Sequence, residues 1–248
     1  MPWVITEIIL SKREIRNMKT DLKIHKKSRR KKLIFWLCVD STVVVSVVIL
    51  LLYRPGRYNP VDFDSYGYEQ GQVSPYLTHE LSPNLYNNSQ RGEPFELEIT
   101  QDGINEIVAG LGWPMYSEGV MLYAPAVLFV PGTVVLMGTA DVKGVKLVIT
   151  IEIEPKIDDQ KMLSLNVAKV KIGAVNITPL AKMMGKKMYA ERLGVMEIDT
   201  EALQSKIVGA LLNEETFEPV FNIEDNKLRI EKITVNKEKL TVRLVPAS

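Results

Sequence analysis

Residues 145–154, with the sequence VKLVITIEIE, indicate the fold class of this chain because apolar and polar side chains alternate along them. A repeat of two residues is typical of a β-strand that has one face in an apolar core and the other in water. The apolar face is predicted to carry Val145, Leu147, Ile149, Ile151 and Ile153. The water-facing side is predicted to carry Lys146, Thr150, Glu152 and Glu154. Such one-sided burial is common in antiparallel sheets.

Three more strands of similar length are predicted next to this one, at about residues 119–130, 133–142 and 162–172. The turns between the four strands are short: Pro131-Gly132, Lys143-Gly144 and Asp158-Asp159-Gln160. Turns of this length and composition predict an antiparallel meander. In the fourth strand the apolar positions change phase after Val167, which predicts a β-bulge near that residue.

Helical periodicity is present on both sides of the meander. Thr100 is a suitable N-cap for a helix that follows a short strand at residues 95–99 and ends at Gly112. Thr178-Pro179 begins a second helix, predicted to run to about residue 193, and Thr200 caps a third. Short strands are predicted near residues 218–223, 227–235 and 239–245.

These elements predict an α+β domain at residues 94–248, in which helices pack on the concave apolar face of one long curved antiparallel sheet. Residues 54–93 are rich in Tyr, Pro, Asn, Gly and Ser and have no periodicity. We interpret them as a linker with at most short helical turns.

The N-terminal part of the chain combines a basic block at residues 26–32 with an apolar run at residues 33–53. At about 1.5 Å per residue, this run covers a hydrocarbon core roughly 30 Å thick. We therefore predict a transmembrane helix at residues 33–53 and a basic cytoplasmic arm at residues 1–32. No small-x-small cleavage site follows the run, so a removable signal peptide is not expected. Met18 is a second possible start, because the basic block and the run both follow it.

Charge is divided unequally along the chain. Residues 1–32 hold eleven Lys or Arg residues and three acidic ones, a net charge of +8, whereas the whole chain carries +1. The remainder therefore carries −7, which argues against nucleic-acid binding by the C-terminal domain. The basic arm is expected to stay inside the cell and the domain to lie outside the cytoplasmic membrane.

Histidine and cysteine usage excludes several kinds of chemistry. The chain has two histidines, His25 and His79, and one cysteine, Cys38, and none of them falls within residues 94–248. A disulfide, a Cys/His zinc site and a histidine-based triad are therefore not expected in the domain. We predict a non-enzymatic protein without a cofactor.

Two features are candidates for interaction. Asp40 lies inside the predicted transmembrane helix, where a carboxylate is a candidate contact for a partner protein, or else stays protonated or bonds to a neighbouring hydroxyl. The second feature is a set of apolar residues on two predicted helices, rich in methionine, which adapts to varied apolar ligands or simply fills a core. These apolar-ligand candidates are Ile104, Val108, Leu111, Leu180, Met183, Met184 and Met188. Four carboxylates near the third turn are better explained by strand and turn positions than by a metal site: Glu152, Glu154, Asp158 and Asp159.

Two motifs resemble a known family. They are residues 99–105, ITQDGIN, at a strand-to-helix boundary, and residues 171–180, KIGAVNITPL, at the start of a helix. With the anchor and the meander, they resemble the YpmS-like membrane-anchored bacterial family, which is similar to tubular lipid-binding (TULIP-like) domains. The resemblance covers about residues 95–193. It implies a bacterial envelope protein with a long twisted sheet around a helix and a lipid cleft, and it assigns no site residues.

The sequence thus predicts a single-pass protein of the bacterial cytoplasmic membrane whose C-terminal domain binds a lipid or another apolar ligand between sheet and helix. The alternative is a structural or scaffolding subunit of a cell-envelope complex that acts through protein–protein contacts. The expected partners are membrane lipids and other envelope membrane proteins, and nucleic acid is not expected.

Overall fold

The computed structural model describes residue 32 and residues 34–60, 73–117, 119–195 and 203–247. The basic arm up to residue 31, with Met18 and His25, and the predicted cap Thr200 lie outside the described residues. The chain divides into two compact units, Met1–Ile49 and Leu50–Ser248.

Most of one long helix belongs to the first unit. Helix α1 spans Ile34–Leu51 and is long and apolar enough to cross a membrane. Its side chains, including that of Asp40, are exposed along almost the whole helix. Two hydroxyls bond to the helix's own backbone: Thr42 Oγ1 donates to the Cys38 carbonyl and Ser46 Oγ to the Thr42 carbonyl, each at 2.8 Å. Both hydroxyls thus find an acceptor within the helix itself.

The second unit contains the other described helices and the strands. A π-helical turn at Tyr76–Leu81 continues into helix α2, Ser82–Ser89, and the remaining helices are α3 (Gln101–Ala109), α4 (Thr178–Val195) and α5 (Leu203–Asn213). The described strands are β1 (Phe95–Thr100), β2 (Met115–Ser117), β3 (Val120–Val130), β4 (Thr133–Val142), β5 (Val145–Ile157), β6 (Leu163–Ile172), β7 (Val175–Asn176), β8 (Val220–Ile223), β9 (Asn226–Asn236) and β10 (Lys239–Pro246). The α+β class is confirmed, and the four long strands lie where they were predicted.

The strands form two antiparallel sheets rather than one. The large sheet has the order β2-β3-β4-β5-β6-β7, and the small sheet has the order β1-β10-β9-β8. The bulge near Val167 is confirmed, because Glu152 pairs with Lys169 whereas the next residue, Ile153, pairs with Val167. The second sheet forms because β1 pairs with β10 near the C-terminus. Periodicity along the chain specifies strands but not such distant pairings.

The two faces of the large sheet have different neighbours. We call the face that carries Val127, Leu136 and Ile151 the inner face, since these residues lie directly opposite one another on β3, β4 and β5. On this face Val127 and Phe129 are buried together with Val235 of β9. The opposite, outer face carries Ala126, Met137 and Thr150, which are likewise paired across the same strands.

Side-chain amides fasten α3 to β3. Asn105 is buried, its Nδ2 donates to the Val127 carbonyl at 2.8 Å, and its Oδ1 accepts from the Val127 N–H at 2.6 Å. One turn earlier, Gln101 accepts a hydrogen bond from the Phe129 N–H at 2.9 Å. Because β2 pairs only with residues 120–122 of β3, the two amides take the positions that a neighbouring strand would occupy.

Residues 73–90 pack on the domain instead of forming a spacer. Tyr76 is buried, its hydroxyl accepts from the Thr100 N–H at 3.0 Å, and its ring fills the space that the absent side chain of Gly103 leaves. Glu106 Oε1 accepts from Ser74 Oγ at 2.7 Å and from the Tyr76 N–H at 2.9 Å. Thr100 caps α3 as predicted, since its side chain accepts from the Gly103 N–H at 3.1 Å. The helical turns here thus depend on long-range contacts that irregular spacing does not reveal.

Tyr58 is a second tyrosine of the predicted linker that lies in the core. It is buried in a cluster on the outer face, with Ala126, Met137 and Val148. Its hydroxyl donates to the Ala124 carbonyl at 2.6 Å and contacts the Thr139 hydroxyl at 2.7 Å. Burial raises the pKa of the Tyr58 phenol, and the Thr139 hydrogen bond opposes that shift. At neutral pH the phenol therefore stays protonated and keeps its bond to the carbonyl.

Residues 50–58, which we call the strap, are attached to the large sheet at both ends. Tyr58 anchors one end, and at the other the Leu50 carbonyl accepts from the Ala174 N–H at 2.8 Å. The strap explains why the predicted water-facing side of β5 is wrong in part. Val148 and Thr150 lie on that side and are buried, because a segment distant in sequence covers them.

Candidate functional site

The predicted apolar-ligand residues do not form one site in the structure. Ile104 and Val108 on α3 pack in the core against Val127 and Phe129, because the amides of α3 hold that face against the sheet. Leu111, in the loop after α3, is exposed. The remaining four lie on α4 and are 50% to 64% exposed: Leu180, Met183, Met184 and Met188. We call these four residues the methionine face.

Helix α4 packs through a different face, made of small and aromatic residues. Gly185 lies so near α5 that a Cβ there would be 3.4 Å from the Leu212 side chain. Tyr189 Oη donates to Glu215 Oε2 at 3.1 Å, just after α5. Positions 185 and 189 are one helical turn apart and so share a face. Because this row makes the contact with α5, the methionine face is left exposed.

Two lysines of α4 engage the end of α5. Lys182 Nζ donates to Glu214 Oε1 at 2.8 Å, and Lys186 Nζ donates to Glu214 Oε2 at 3.0 Å. These hydrogen bonds lower the pKa of Glu214 to about 2. Because the pairs are exposed, each stabilises the fold only slightly. Their main effect is to direct these two lysines toward α5 and away from the methionine face.

Part of the inner face is also incompletely covered. It consists of Leu147, Ile149 and Ile151 of β5 and Ile172 of β6, which we call the inner strip. These side chains are only half-buried, and they belong to none of the four buried clusters formed by the described residues. The inner strip adjoins the start of α4, where the Thr178 hydroxyl accepts from the Val170 N–H at 2.8 Å. The methionine face begins two residues after this contact, at Leu180.

On the outer face, a cleft of about 510 Å³ opens between the strap and the large sheet. Leu128, Val135 and Met137 form its apolar wall. Arg57 lines it from the strap, and Thr150 lines it from β5. We call it the strap cleft.

The polar groups of the strap cleft come from β5 and β6. Lys171 Nζ donates to Glu152 Oε1 at 3.0 Å, and Lys169 Nζ lies 3.9 Å from Glu152 Oε2. Thr150 is 6% exposed, and its Oγ1 has no hydrogen-bond partner among the described residues. The alternating pattern placed Thr150 and Glu152 in water, and no signal in the sequence indicates the strap that covers them.

The carboxylates considered as cation ligands do not converge. Glu154 pairs with Lys156 at 2.9 Å. Asp158 Oδ1 accepts from the backbone N–H groups of Gln160 at 2.9 Å and Met162 at 2.8 Å. In the part of the chain that the structure describes, no group of three His, Cys, Asp or Glu side chains could hold a metal ion. These carboxylates serve an ion pair and a turn.

Comparisons with known proteins identify no relative of this chain. No family model, no curated protein and no solved structure matches the chain. The resemblance to the YpmS-like and TULIP-like families therefore stays a prediction from two motifs. The function must therefore be inferred from the methionine face, the inner strip and the strap cleft.

Proposed function

We propose that this protein is a single-pass membrane protein whose C-terminal domain binds the hydrocarbon chain of a lipid between the methionine face and the inner strip. The observation that carries the proposal is the exposure of the methionine face, on a helix that begins beside β6, together with the incomplete burial of the inner strip. The four residues of the methionine face are 50% to 64% exposed, and the inner strip is half-buried. Exposed apolar surface of this kind marks interaction sites in soluble domains.

The composition of the two surfaces favours a flexible hydrocarbon over a rigid or polar ligand. Leucine, isoleucine and methionine side chains offer no strong hydrogen-bond donor or acceptor. Methionine adapts its shape to varied apolar partners. Lys182 and Lys186 pair with Glu214 beside α5, so their charge is directed away from the methionine face. The affinity would therefore depend on the length of the hydrocarbon chain of the ligand. The domain would bind this ligand without changing it chemically.

Cross-linking to a photoactivatable phospholipid tests the proposal. The full chain is placed in nanodiscs that contain a diazirine-labelled lipid, and adducts are mapped by mass spectrometry. We expect adducts at residues 147–151 and 180–188 in addition to α1. The double variant Met183→Glu, Met184→Glu should lower the adducts in the domain about tenfold, because charge opposes the burial of a hydrocarbon chain.

A matched control is Tyr116→Glu, which introduces a charge at a side chain that is 75% exposed on β2, outside both surfaces. Its adducts should equal those of the parent chain. If the parent chain carries adducts on α1 alone, the domain does not hold a lipid chain. A protein cross-linked to α4 in cells, with no lipid adduct, would favour the scaffolding alternative.

The proposal includes an orientation, with the arm in the cytoplasm and the domain outside the bacterial cytoplasmic membrane. The apolar helix α1 and the basic block before it support this orientation. A reporter that is active only outside the cytoplasm should be active when fused after Ser248. Changing the six Lys and Arg residues of positions 26–32 to Gln leaves Arg54 and Arg57 on the other flank, so mixed or inverted orientation should appear.

The control for the orientation experiment changes six lysines of the C-terminal domain to Gln, which should leave the reporter active. Lysines far from the ends of the helix have little influence on orientation. A cytoplasmic C-terminus in the parent chain would contradict the proposed localisation.

A further inference from the structure

We propose that the strap cleft binds the phosphate group of an anionic membrane lipid. The cleft is on the outer face of the large sheet, whereas the inner strip is on the opposite face. The proposal rests on the membrane location of α1 proposed above, but its site is a different one, and it concerns the headgroup of a lipid instead of its chain.

The first observation that indicates a ligand is the unpaired, buried hydroxyl of Thr150. Its side chain lines the cleft and is 6% exposed, and its hydroxyl has no hydrogen-bond partner among the described residues. Few buried hydroxyls in native proteins stay without a partner, because an unpaired polar group is destabilising in the interior. The hydroxyl hydrogen can rotate, so Thr150 can donate to an oxygen acceptor that enters the cleft.

The charge of the cleft selects an anion. Arg57 and Lys171 line it, and Lys169 shares the Glu152 carboxylate with Lys171. The charged residues that line the cleft, Arg57, Lys171 and Glu152, carry a net charge of +1, and Lys169 adds a positive charge beside Glu152, outside the lining. Lys171 donates one of its three N–H groups to Glu152, so others remain for a ligand.

The donors suit a phosphate. Arg57 offers a planar guanidinium that binds phosphate oxygens in pairs, and Lys171 adds a point charge. With Thr150, they bring three donor groups to one cleft. An adjoining cleft that shares Arg57 adds Lys237 and Glu238, which lie 3.6 Å apart and offset each other. The positive charge is therefore concentrated on the β5 and β6 side.

The apolar wall and the position of the strap favour a lipid over free phosphate. Leu128, Val135 and Met137 give the cleft a surface on which the glycerol and first methylene groups of a lipid can pack. A volume of about 510 Å³ is within the range of small-ligand sites. Arg57 follows the end of α1 at Leu51 closely, within about 20 Å even if the chain were fully extended. The cleft is thus within reach of lipid phosphates at the membrane surface.

Titration with soluble short-chain lipids tests this proposal. The full chain is placed in nanodiscs of phosphatidylcholine, and binding is measured by calorimetry for three probes: dihexanoyl phosphatidylglycerol, uncharged dihexanoylglycerol and inorganic phosphate. In the variant Met183→Glu, Met184→Glu, whose hydrocarbon site is disrupted, we expect phosphatidylglycerol to bind at one site, at least tenfold more tightly than either of the other probes. Dihexanoylglycerol lacks the charge, and inorganic phosphate lacks the apolar part.

Two variants locate the site. Thr150→Val keeps the shape of the side chain and breaks no hydrogen bond among the described residues, so it should fold at least as stably as the parent. Its affinity for phosphatidylglycerol should fall about tenfold, as expected for a hydrogen bond to a charged group. Lys171→Gln should lower the affinity by a similar or larger factor. The matched controls Thr241→Val, on β10, and Lys156→Gln, in the exposed pair with Glu154, should bind as the parent does.

Three results would overturn the proposal. Unchanged affinity of Thr150→Val would remove the cleft as the site. Equal binding of dihexanoylglycerol would show that no phosphate is recognised. Binding of inorganic phosphate as tightly as phosphatidylglycerol would mean that the cleft takes free phosphate and not a lipid headgroup.

Discussion

Replacing Asn105 with alanine is expected to lower the free energy of unfolding of the unit Leu50–Ser248 by about 2–6 kcal/mol. Asn105 accepts from the Val127 N–H at 2.6 Å and donates to the Val127 carbonyl at 2.8 Å. Without the amide, both backbone groups of Val127 lose these partners beneath α3. Each buried group left unpaired costs about 1–3 kcal/mol. The loss would be a large fraction of the stability of a typical domain, about 5–15 kcal/mol.

The measurement is denaturant unfolding of the full chain in detergent, followed by tryptophan fluorescence. The matched control is Asn88→Ala in α2. Asn88 Nδ2 donates to the Asn84 carbonyl at 2.8 Å, four residues earlier, just as Asn105 Nδ2 donates to Gln101. That bond is exposed, so its loss should change the stability by no more than about 0.5 kcal/mol. Equal stability of the two variants would show that Asn105 does not pair with the edge of β3.

Gly173→Ala is expected to release the strap from the large sheet. Gly173 has a φ of +58°, and a Cβ at this position would overlap the carbonyl groups of Leu50 and Leu51. The left-handed conformation costs an alanine about 1–2 kcal/mol, and forced overlap in a packed region costs about 1–3 kcal/mol more. Because the overlap is with backbone, the strap must move away. Trypsin should then cleave after Arg57 at least about tenfold faster than in the parent chain.

Gly144→Ala is the matched control for this experiment. Gly144 has a φ of +87°, but no atom lies within 4 Å of a Cβ built there. The control therefore keeps the conformational cost and removes the overlap. It should lower the stability by about 1–2 kcal/mol and leave the cleavage rate of the strap unchanged. Equal cleavage rates in the two variants would show that the close approach to Leu50 and Leu51 does not hold the strap.

The elements of this protein could be predicted from local patterns. The period-two alternation of β5, the short turns and the change of phase at Val167 are properties of neighbouring residues, and they predicted the meander and its bulge. The cap at Thr100 and the start of α4 at Thr178 were predicted for the same reason. The motif at residues 99–105 is visible in the sequence, but its physical basis lies in the structure. Gln101 and Asn105 pair with β3, and Gly103 makes room for Tyr76.

The candidate sites could be predicted less completely from the sequence than the helices and strands. The methionine face was identified from helical spacing, but the same spacing could not distinguish it from the core face of α3. Ile104 and Val108 are core residues because the amides of α3 dock that helix on the sheet. Residues 185 and 189 of α4 contact α5, whereas the methionines are exposed. Which side of a helix is covered depends on the neighbour it meets.

The amino-acid sequence by itself determined the apolar helix, the long strands, the turns and the helix starts, because these follow from hydropathy and from backbone preferences within a few residues. Only the tertiary structure decided that the strands divide into two sheets, that Tyr58 and Tyr76 are core residues, and that Thr150 lies in a cleft with Arg57 and Lys171. Each of these features joins segments that are tens of residues apart. Such contacts depend on which surfaces are complementary after folding, and no periodicity within one segment specifies them.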